Sequence, residues 1–429
     1  MGLIWGRIFI LPIQYQSGDI AFSEWITLLT LCLTPLVAHI LVGAPLPTYL
    51  DTSRPKWHDR VCHYNPTSIL WRYAMIADRW FRAKEWDKAD LAATNALFWT
   101  SKGWNGDEDM IDRARPHCVR LPDGVRTSLF SGETVGTVII TCQGAQAVFV
   151  LANGLAGVVD DGFVRLMAVD KIFFPLAVIG LLRIWACPIL TNEFSYVSQE
   201  LGNQSSRSDG CSGEYLPLEH ISRDNLVPGS RRFRPIRSWP GILFRTAYFL
   251  CILGLLALTS CYLSGGYYTS TTFVLAIFYL VFLAVTILIF AWYFAFRRVT
   301  TTIIPCIAST WYKIYTGMLA LLGVSLLVIS CIETRRTPCG KFTSGGPSAD
   351  LMACLGATSD LVLVGGSLNN SAFGSSANYY TKANNGTFIQ VGPTDTEQRV
   401  TNFTGMCFGD GLQQDKTTEV ILQFYERTS

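Results

Sequence analysis

His58, Cys62, His63, His117 and Cys118 are the one group of residues in this chain with the side-chain types of a zinc site. A structural zinc centre gathers four such ligands into a tetrahedron, and its trace in a sequence is closely paired ligands at fixed spacing. His58 and Cys62 with a separate His117-Cys118 pair do not match that spacing, so no metal is assigned. A Cys-His nucleophile pair fares no better, because nothing nearby marks an oxyanion hole. Asp107, Glu108, Asp109 and Asp112 lack the alternation and central Gly of a calcium loop and read as a solvated turn. No glycine-rich phosphate loop, hydrolase elbow or HExxH motif occurs. No catalytic residue and no cofactor is assigned, and the reading leans away from an enzyme.

The remaining polar residues of interest lie inside apolar runs. An Arg within a membrane span costs at least a few kcal/mol unless it snorkels or is paired, and Arg183 stands in such a run. It lies about two helical turns, roughly 10 Å, from the nearer interface, a distance its side chain partly covers. Gln143 and Gln146 are three apart and share a helix face, so in hydrocarbon they would turn into the bundle and bond another helix. Together with Arg183 they form a possible intramembrane polar site. No span interior carries an Asp or Glu, which weighs against a cation-coupled transporter.

The elements that would hold these residues are membrane helices. Between Arg245 and Arg297 the chain has no charged residue, enough for two crossings of a hydrocarbon layer about 30 Å thick with a turn at Ser264 to Ser270. Only 15% of the 429 residues are charged and 50% are hydrophobic, against roughly 25% charged in a soluble domain. The net charge of +2 argues against nucleic acid as a partner. Spans are expected at 25–43, 135–157, 172–190, 246–263, 272–296 and 314–332. The second is marginal because of its two Gln and its glycines, and the third contains Pro175, Pro188 and Arg183. The fold class is therefore an all-α membrane bundle of about six helices.

Arginines in the connections set the sidedness, since cytoplasmic loops retain them. The 191–240 loop carries Arg207, Arg223, Arg231, Arg232, Arg234 and Arg237, and Arg297, Arg298 and Lys313 follow two spans later. Both loops are read as cytosolic, with the N-terminal segment 1–24 and the tail 333–429 exoplasmic. Arg231, Arg232, Arg234 and Arg237 could also hold anionic lipid. Arg245 is expected to snorkel.

The soluble segments differ in character. In 44–132, Asn65-Pro66 is a helix start, and Ile69, Tyr73, Ile76 and Trp80 form an apolar stripe opposite Arg72, Asp78, Arg79 and Arg82. A second helical run is expected over about Lys84 to Trp99. The stripe is read as packing on the bundle or on its partner helix rather than lying in the headgroups. The Gly/Ser/Thr/Asn-rich tail is either a small β-rich ectodomain or a disordered segment. It holds sequons at Asn369, Asn385 and Asn402, open to N-glycosylation if the tail is lumenal. Cys331, Cys339, Cys354 and Cys407 could form disulfides there in a pairing that remains open. A fourth sequon at Asn203 falls in the loop read as cytosolic, and Arg335, Arg336 and Lys341 fall on the side read as exoplasmic; both count against this sidedness.

The runs Leu33-Thr34-Pro35-Leu36-Val37-Ala38-His39-Ile40, Trp57-His58-Asp59-Arg60 and His63-Tyr64-Asn65-Pro66-Thr67-Ser68-Ile69-Leu70-Trp71-Arg72-Tyr73 resemble those of predicted fungal multi-span membrane proteins. The likeness continues through Arg82-Ala83-Lys84 into Asn95-Ala96-Leu97-Phe98-Trp99-Thr100. It implies an integral membrane protein and brings no activity and no site residues. The preferred expectation is a non-enzymatic sensor or scaffold-like protein in the plasma membrane or a secretory-pathway membrane. The alternative is a channel or transporter with a path near Arg183, Gln143 and Gln146.

Overall fold

The computed structural model describes residues 9–50, 52–128, 130–155, 167–196, 232–262, 267–337, 341–346, 363–365, 378–382 and 388–391. It is mostly helical. Among the described residues four helices are long and apolar enough to cross a membrane. Helix α1 is Phe22–Gly43, and its first turn is closed by Glu24, whose carboxylate accepts the Ala21 N–H at 3.2 Å. Within the 44–131 region lie α2, Pro66–Arg82, and α3, Lys88–Asn95. Helix α4 is Gly132–Leu155 and α5 is Phe174–Gly180. Helix α6 is Trp239–Tyr262, α7 is Ser270–Ala291 with a π-helical end at Trp292–Arg297, and α8 is Thr310–Glu333. The membrane-length helices are α1, α6, α7 and α8. Leu41 on α1, Leu250 on α6, Leu288 on α7 and Leu321 on α8 point outward and are more than half exposed. An outer surface of that kind is suited to hydrocarbon rather than water.

Contacts sort the connections to two ends of the bundle. At one end Phe9–Ile10 pairs in parallel with Tyr267–Tyr268, next to the α6–α7 connection. There the Gln16 N–H reaches Ile332 O at 3.1 Å, Arg336 pairs with Glu24 at 2.9 Å, and Glu333 accepts the Thr271 N–H at 2.8 Å. At the other end lie the 44–131 region, residues 191–196, residues 232–238 and residues 298–309. We call these the terminal end and the loop end.

The second expected span forms α4, whose Val135, Val138, Ile139 and Phe149 are exposed. The third differs from expectation. Instead of one helix over 172–190, α5 has seven residues and continues as 3-10 turns at Leu181–Trp185 and Cys187–Ile189. Pro188 cannot donate to a helix and disfavours helical geometry at Cys187. Leu176, Ile179, Arg183 and Ile189 of this broken segment are buried, while Ile184 and Trp185 are exposed. The broken segment begins at the terminal end, where the Val169 N–H bonds Thr334 Oγ1 at 3.0 Å. It finishes at the loop end, where Asn95 Nδ2 bonds Ile189 O at 2.7 Å.

Helix α2 starts where Asn65-Pro66 predicts, with Asn65 Oδ1 accepting the Thr67 N–H at 2.9 Å. Its charged side, however, is not solvated: Arg72, Asp78, Arg79 and Arg82 are as buried as Ile69 and Tyr73. The start of α2 is inserted among the membrane helices, Thr67 Oγ1 lying 2.8 Å from Thr286 Oγ1 of α7 and Asn65 Nδ2 2.9 Å from Thr316 Oγ1 of α8. The following helical run is shorter than expected. It ends at Asn95, and Leu97–Thr100 becomes the central strand between Pro47–Tyr49 and Gly103–Asn105. Phe98, Trp99 and Thr100 favour a pleated strand, and Gly103 at φ +100° supplies the left-handed turn residue the hairpin needs. In the tail, Leu363–Gly365, Asn378–Lys382 and Phe388–Val391 form an antiparallel three-stranded sheet.

Candidate functional site

The loop end holds a cluster of buried arginines built around α2. Asp78 is fully buried and accepts from Arg82 Nε at 2.8 Å and from Arg245 Nε and Nη2 at 2.7 and 2.8 Å. The fork matches the carboxylate plane, which makes this the strongest form of ion pair. Arg82 also binds Glu108 and donates to Arg234 O at 2.9 Å. Burial alone would lower the Arg82 pKa, but Asp78 and Glu108 offset it and the group is held above its ordinary value. Arg245 therefore does not snorkel. It turns inward, joining α6 to α2, while Glu108, half-buried, pairs with Arg82 from an acidic turn whose Asp107 and Asp109 are exposed.

Two further arginines are held by backbone carbonyls. Arg72 donates to Gly43 O at 3.0 Å and Asn95 O at 2.8 Å, tying the end of α1 to the end of α3. Arg79 donates to Gly106 O at 2.7 Å and Thr300 O at 3.3 Å, bridging two loops distant in sequence. Burial lowers both pKa values to about 10, so both remain cationic at neutral pH. Gly106 has no room for a side chain, since a Cβ would sit 2.8 Å from the Ile303 N.

Arg183 is fully buried and fully engaged. Its Nε donates to Thr137 Oγ1 at 2.7 Å, Nη1 to Val42 O and Tyr73 OH, both at 3.0 Å, and Nη2 to the Glu133 carboxylate. It neither snorkels nor meets the two glutamines. Gln143 is half-buried and Gln146 exposed, because Gly144 and Ala147 occupy the facing side of α4. A Cβ on Gly144 would lie 2.6 Å from Leu181 Cγ, and one on Gly180 would lie 2.8 Å from Ile140 Cγ2, so each segment seats a side chain over the other's glycine. Small residues at such a crossing let backbones approach closely.

Arg232 is likewise paired rather than free for lipid. It binds Asp90, and Asp87 at 3.0 Å, while Arg115 binds Asp87 at 2.8 Å. Asp87 and Asp90 also close the start of α3 reciprocally, each accepting the other's N–H at 2.8 Å. Burial and the neighbouring Asp87 raise the Asp90 pKa to about 6. Arg234 and Arg237 are exposed, and Arg231 lies outside the described residues.

His63 packs edge-on against Trp104, ring centroids 4.1 Å apart, and burial with the nearby Arg72 lowers its pKa to about 3. Among the described residues no three His, Cys, Asp or Glu side chains converge as metal ligands would. Cys331 is half-buried near the end of α8. Cys339, Cys354, Cys407, Asn369, Asn385 and Asn402 lie outside the described residues.

Beside this network is a cleft of about 770 Å³ lined by the end of α1, Tyr49, Arg54, Tyr64, Glu133, Asn192 and Phe194 to Tyr196. Of the residues that bind Arg183, Glu133 and Val42 line it. The participation of Arg245 in the network has no local sequence signal, since its partner is 167 residues away. Asp78 and Arg82 do have one in their i,i+4 spacing.

These features define a helical membrane protein whose loop end is bound to the bundle through desolvated ion pairs. In comparison with known proteins, no family model, no curated protein and no solved structure matches this chain.

Proposed function

We propose that this is a multi-pass membrane protein with a non-enzymatic scaffold or sensor role, presenting its loop end as a preformed surface. The observation that carries the reading is Asp78 held by both Arg82 and Arg245. A carboxylate held by two buried cations is stabilised in its ionised form and carries no proton to give, and its role is to fix α2 within the bundle. Six segments cross the bilayer in this reading. Its support is that α4 and the broken 167–190 segment are packed side by side, the latter running from the terminal end to the loop end. Odd and even crossings then alternate, the loop end is cytosolic, and the tail with Asn369, Asn385 and Asn402 is lumenal and glycosylated in the secretory pathway or plasma membrane. Arg234 and Arg237 remain for anionic lipid.

The experiment is topology mapping by glycosidase sensitivity with Asn→Gln changes at Asn203, Asn369, Asn385 and Asn402. Modification at Asn203 would sink the sidedness. The role is tested in parallel by flux measurement: purified protein in liposomes passes neither ions nor small solutes. A second reading, a channel or transporter, is favoured by the cleft that reaches Glu133. It requires a flux that Glu133→Gln abolishes at unchanged expression.

A further inference from the structure

A second cavity, of about 380 Å³, lies at the loop end between α6 and α7. Among the described residues that line it, Arg237, Arg245 and Arg298 are cationic and none is acidic. Arg237 stands two residues before α6 begins, and Arg298 directly follows the π-helical end of α7. Both therefore lie where the membrane-length helices end and headgroups begin. Both are exposed, and among the described residues neither side chain has a hydrogen-bonding or acidic partner.

The deeper wall is apolar. Phe249 lies roughly 15 Å into α6, at 1.5 Å per residue, and Ala291 stands about two turns before Arg298 on α7. Ile242, 47% exposed, and the exposed Ala295 line the same space as the buried Arg245. The cavity thus opens on the outer face of the bundle and reaches inward to the ion-pair network. Arg245 gives Nε and Nη2 to Asp78 and Val299 O, and its guanidinium stands 5.2 Å from the Phe294 ring centroid. Its Nη1 has no hydrogen-bond partner among the described residues. A cationic mouth at headgroup depth above an apolar wall fits an amphiphile with an anionic head, and guanidinium groups match phosphate oxygens in both charge and geometry.

We propose that the cavity between α6 and α7 binds one anionic phospholipid, its phosphate between Arg237 and Arg298 and the start of one acyl chain against Ile242, Phe249 and Phe294. The site rests on the membrane residence argued above and narrows the lipid contact of Arg237 to one pair of helices. Arg245 belongs both to this cavity and to the Asp78 pair. Lipid bound here stands against the joint that holds α2, giving the loop end a direct contact with the acidic lipid content of the bilayer.

The test uses the full chain purified in dodecyl maltoside and mixed with phosphatidylserine or phosphatidylcholine carrying a diazirine near the start of the acyl chain. After illumination, cross-links should concentrate on the 242–249 and 291–295 stretches, with phosphatidylserine ahead about ten-fold. Arg237→Gln and Arg298→Gln should each cut the phosphatidylserine yield about five-fold. Arg120→Gln, exposed at the loop end but outside the cavity, should leave it unchanged. Ala295→Leu plugs the cavity from an exposed position and should lower the yield about ten-fold; the cross-link map of the unaltered protein decides the matter if the variants fail to fold. Even labelling of all outward helix faces, equal labelling by the two lipids, or an equal loss in Arg120→Gln would overturn the site. Displacement by millimolar inorganic phosphate would assign the arginines to free phosphate and overturn the lipid. Absence of labelling in a protein that carbonate leaves in the membrane would overturn the site alone, whereas absence with release by carbonate would refute membrane residence.

Discussion

Arg245 and Asp78 meet as a two-pronged pair, Nε to Oδ1 at 2.7 Å and Nη2 to Oδ2 at 2.8 Å, with both side chains buried. A pair this deep adds little net stability compared with apolar replacements, yet leaving one partner alone is costly. Asp78→Ala should therefore destabilise by about 3–5 kcal/mol, because Arg82 and Arg245 both lose their shared carboxylate. The double change Asp78→Leu with Arg245→Met should recover part of that loss. Thermal unfolding in detergent, followed by Trp fluorescence, reads both, and an unchanged midpoint for Asp78→Ala would refute the pairing.

Gly144 and Gly180 set the distance between α4 and the broken segment. Gly144→Val should cost about 1–3 kcal/mol by overpacking against Leu181. Gln146→Leu, two residues further on and on the exposed face, should leave the unfolding midpoint unchanged. Equal effects from the two would mean that the faces of α4 are assigned wrongly.

His63 gives a pH signature. Its pKa lies near 6.5 when unfolded and falls to about 3 when folded, through burial and then Arg72. The unfolded chain therefore takes up a proton first as pH falls, and the stability His63 contributes above pH 6.5 is lost progressively toward pH 3. The slope is at most about 1.4 kcal/mol per pH unit. His63→Phe keeps an aromatic ring against Trp104 and should flatten the acid limb of the stability curve in that window. An identical acid limb in the variant would show that His63 is not the group responsible.

Arg232 and Arg237 should separate two effects that share a short stretch of sequence. Arg232→Gln strips Asp90 and Asp87 of a partner and should lower stability by about 1.5–3 kcal/mol. Arg237→Gln, at an exposed position, should leave stability alone and weaken binding to phosphatidylserine vesicles by about 1 kcal/mol. Melting curves and vesicle flotation together distinguish them, and loss of flotation in Arg232→Gln at unchanged stability would reverse the assignment.

The apolar helices are legible in the sequence because hydrocarbon imposes a length and a charge rule. Helices α1, α6, α7 and α8 each fall within a turn or two of their expected spans. What periodicity does not reveal is burial on more than one side. Arg72, Asp78, Arg79 and Arg82 alternate with apolar residues as a solvated helix would, and only long-range partners such as Arg245 and Gly106 show that the polar face is interior. The glycines of α4 lower its hydropathy and weaken it as a span, yet Gly144 supplies close packing. Arg183 stands out correctly as an oddity. Its partners Glu133 and Thr137 share one face of α4 at i,i+4, but their meeting with Tyr73 of α2 and with Arg183 has no local pattern.

The 167-residue separation of Asp78 and Arg245 also sets a clock for biosynthesis. At roughly 5–20 residues per second, the ribosome delivers Arg245 about 8–33 s after Asp78 has been made. Throughout that interval α2 carries an aspartate whose interhelical counter-ion does not yet exist, so it cannot take its final seat among helices still to be inserted. Assembly of the bundle must wait for its sixth labelled helix, and a nascent chain stalled before Arg245 should leave α2 unseated and open to proteolysis.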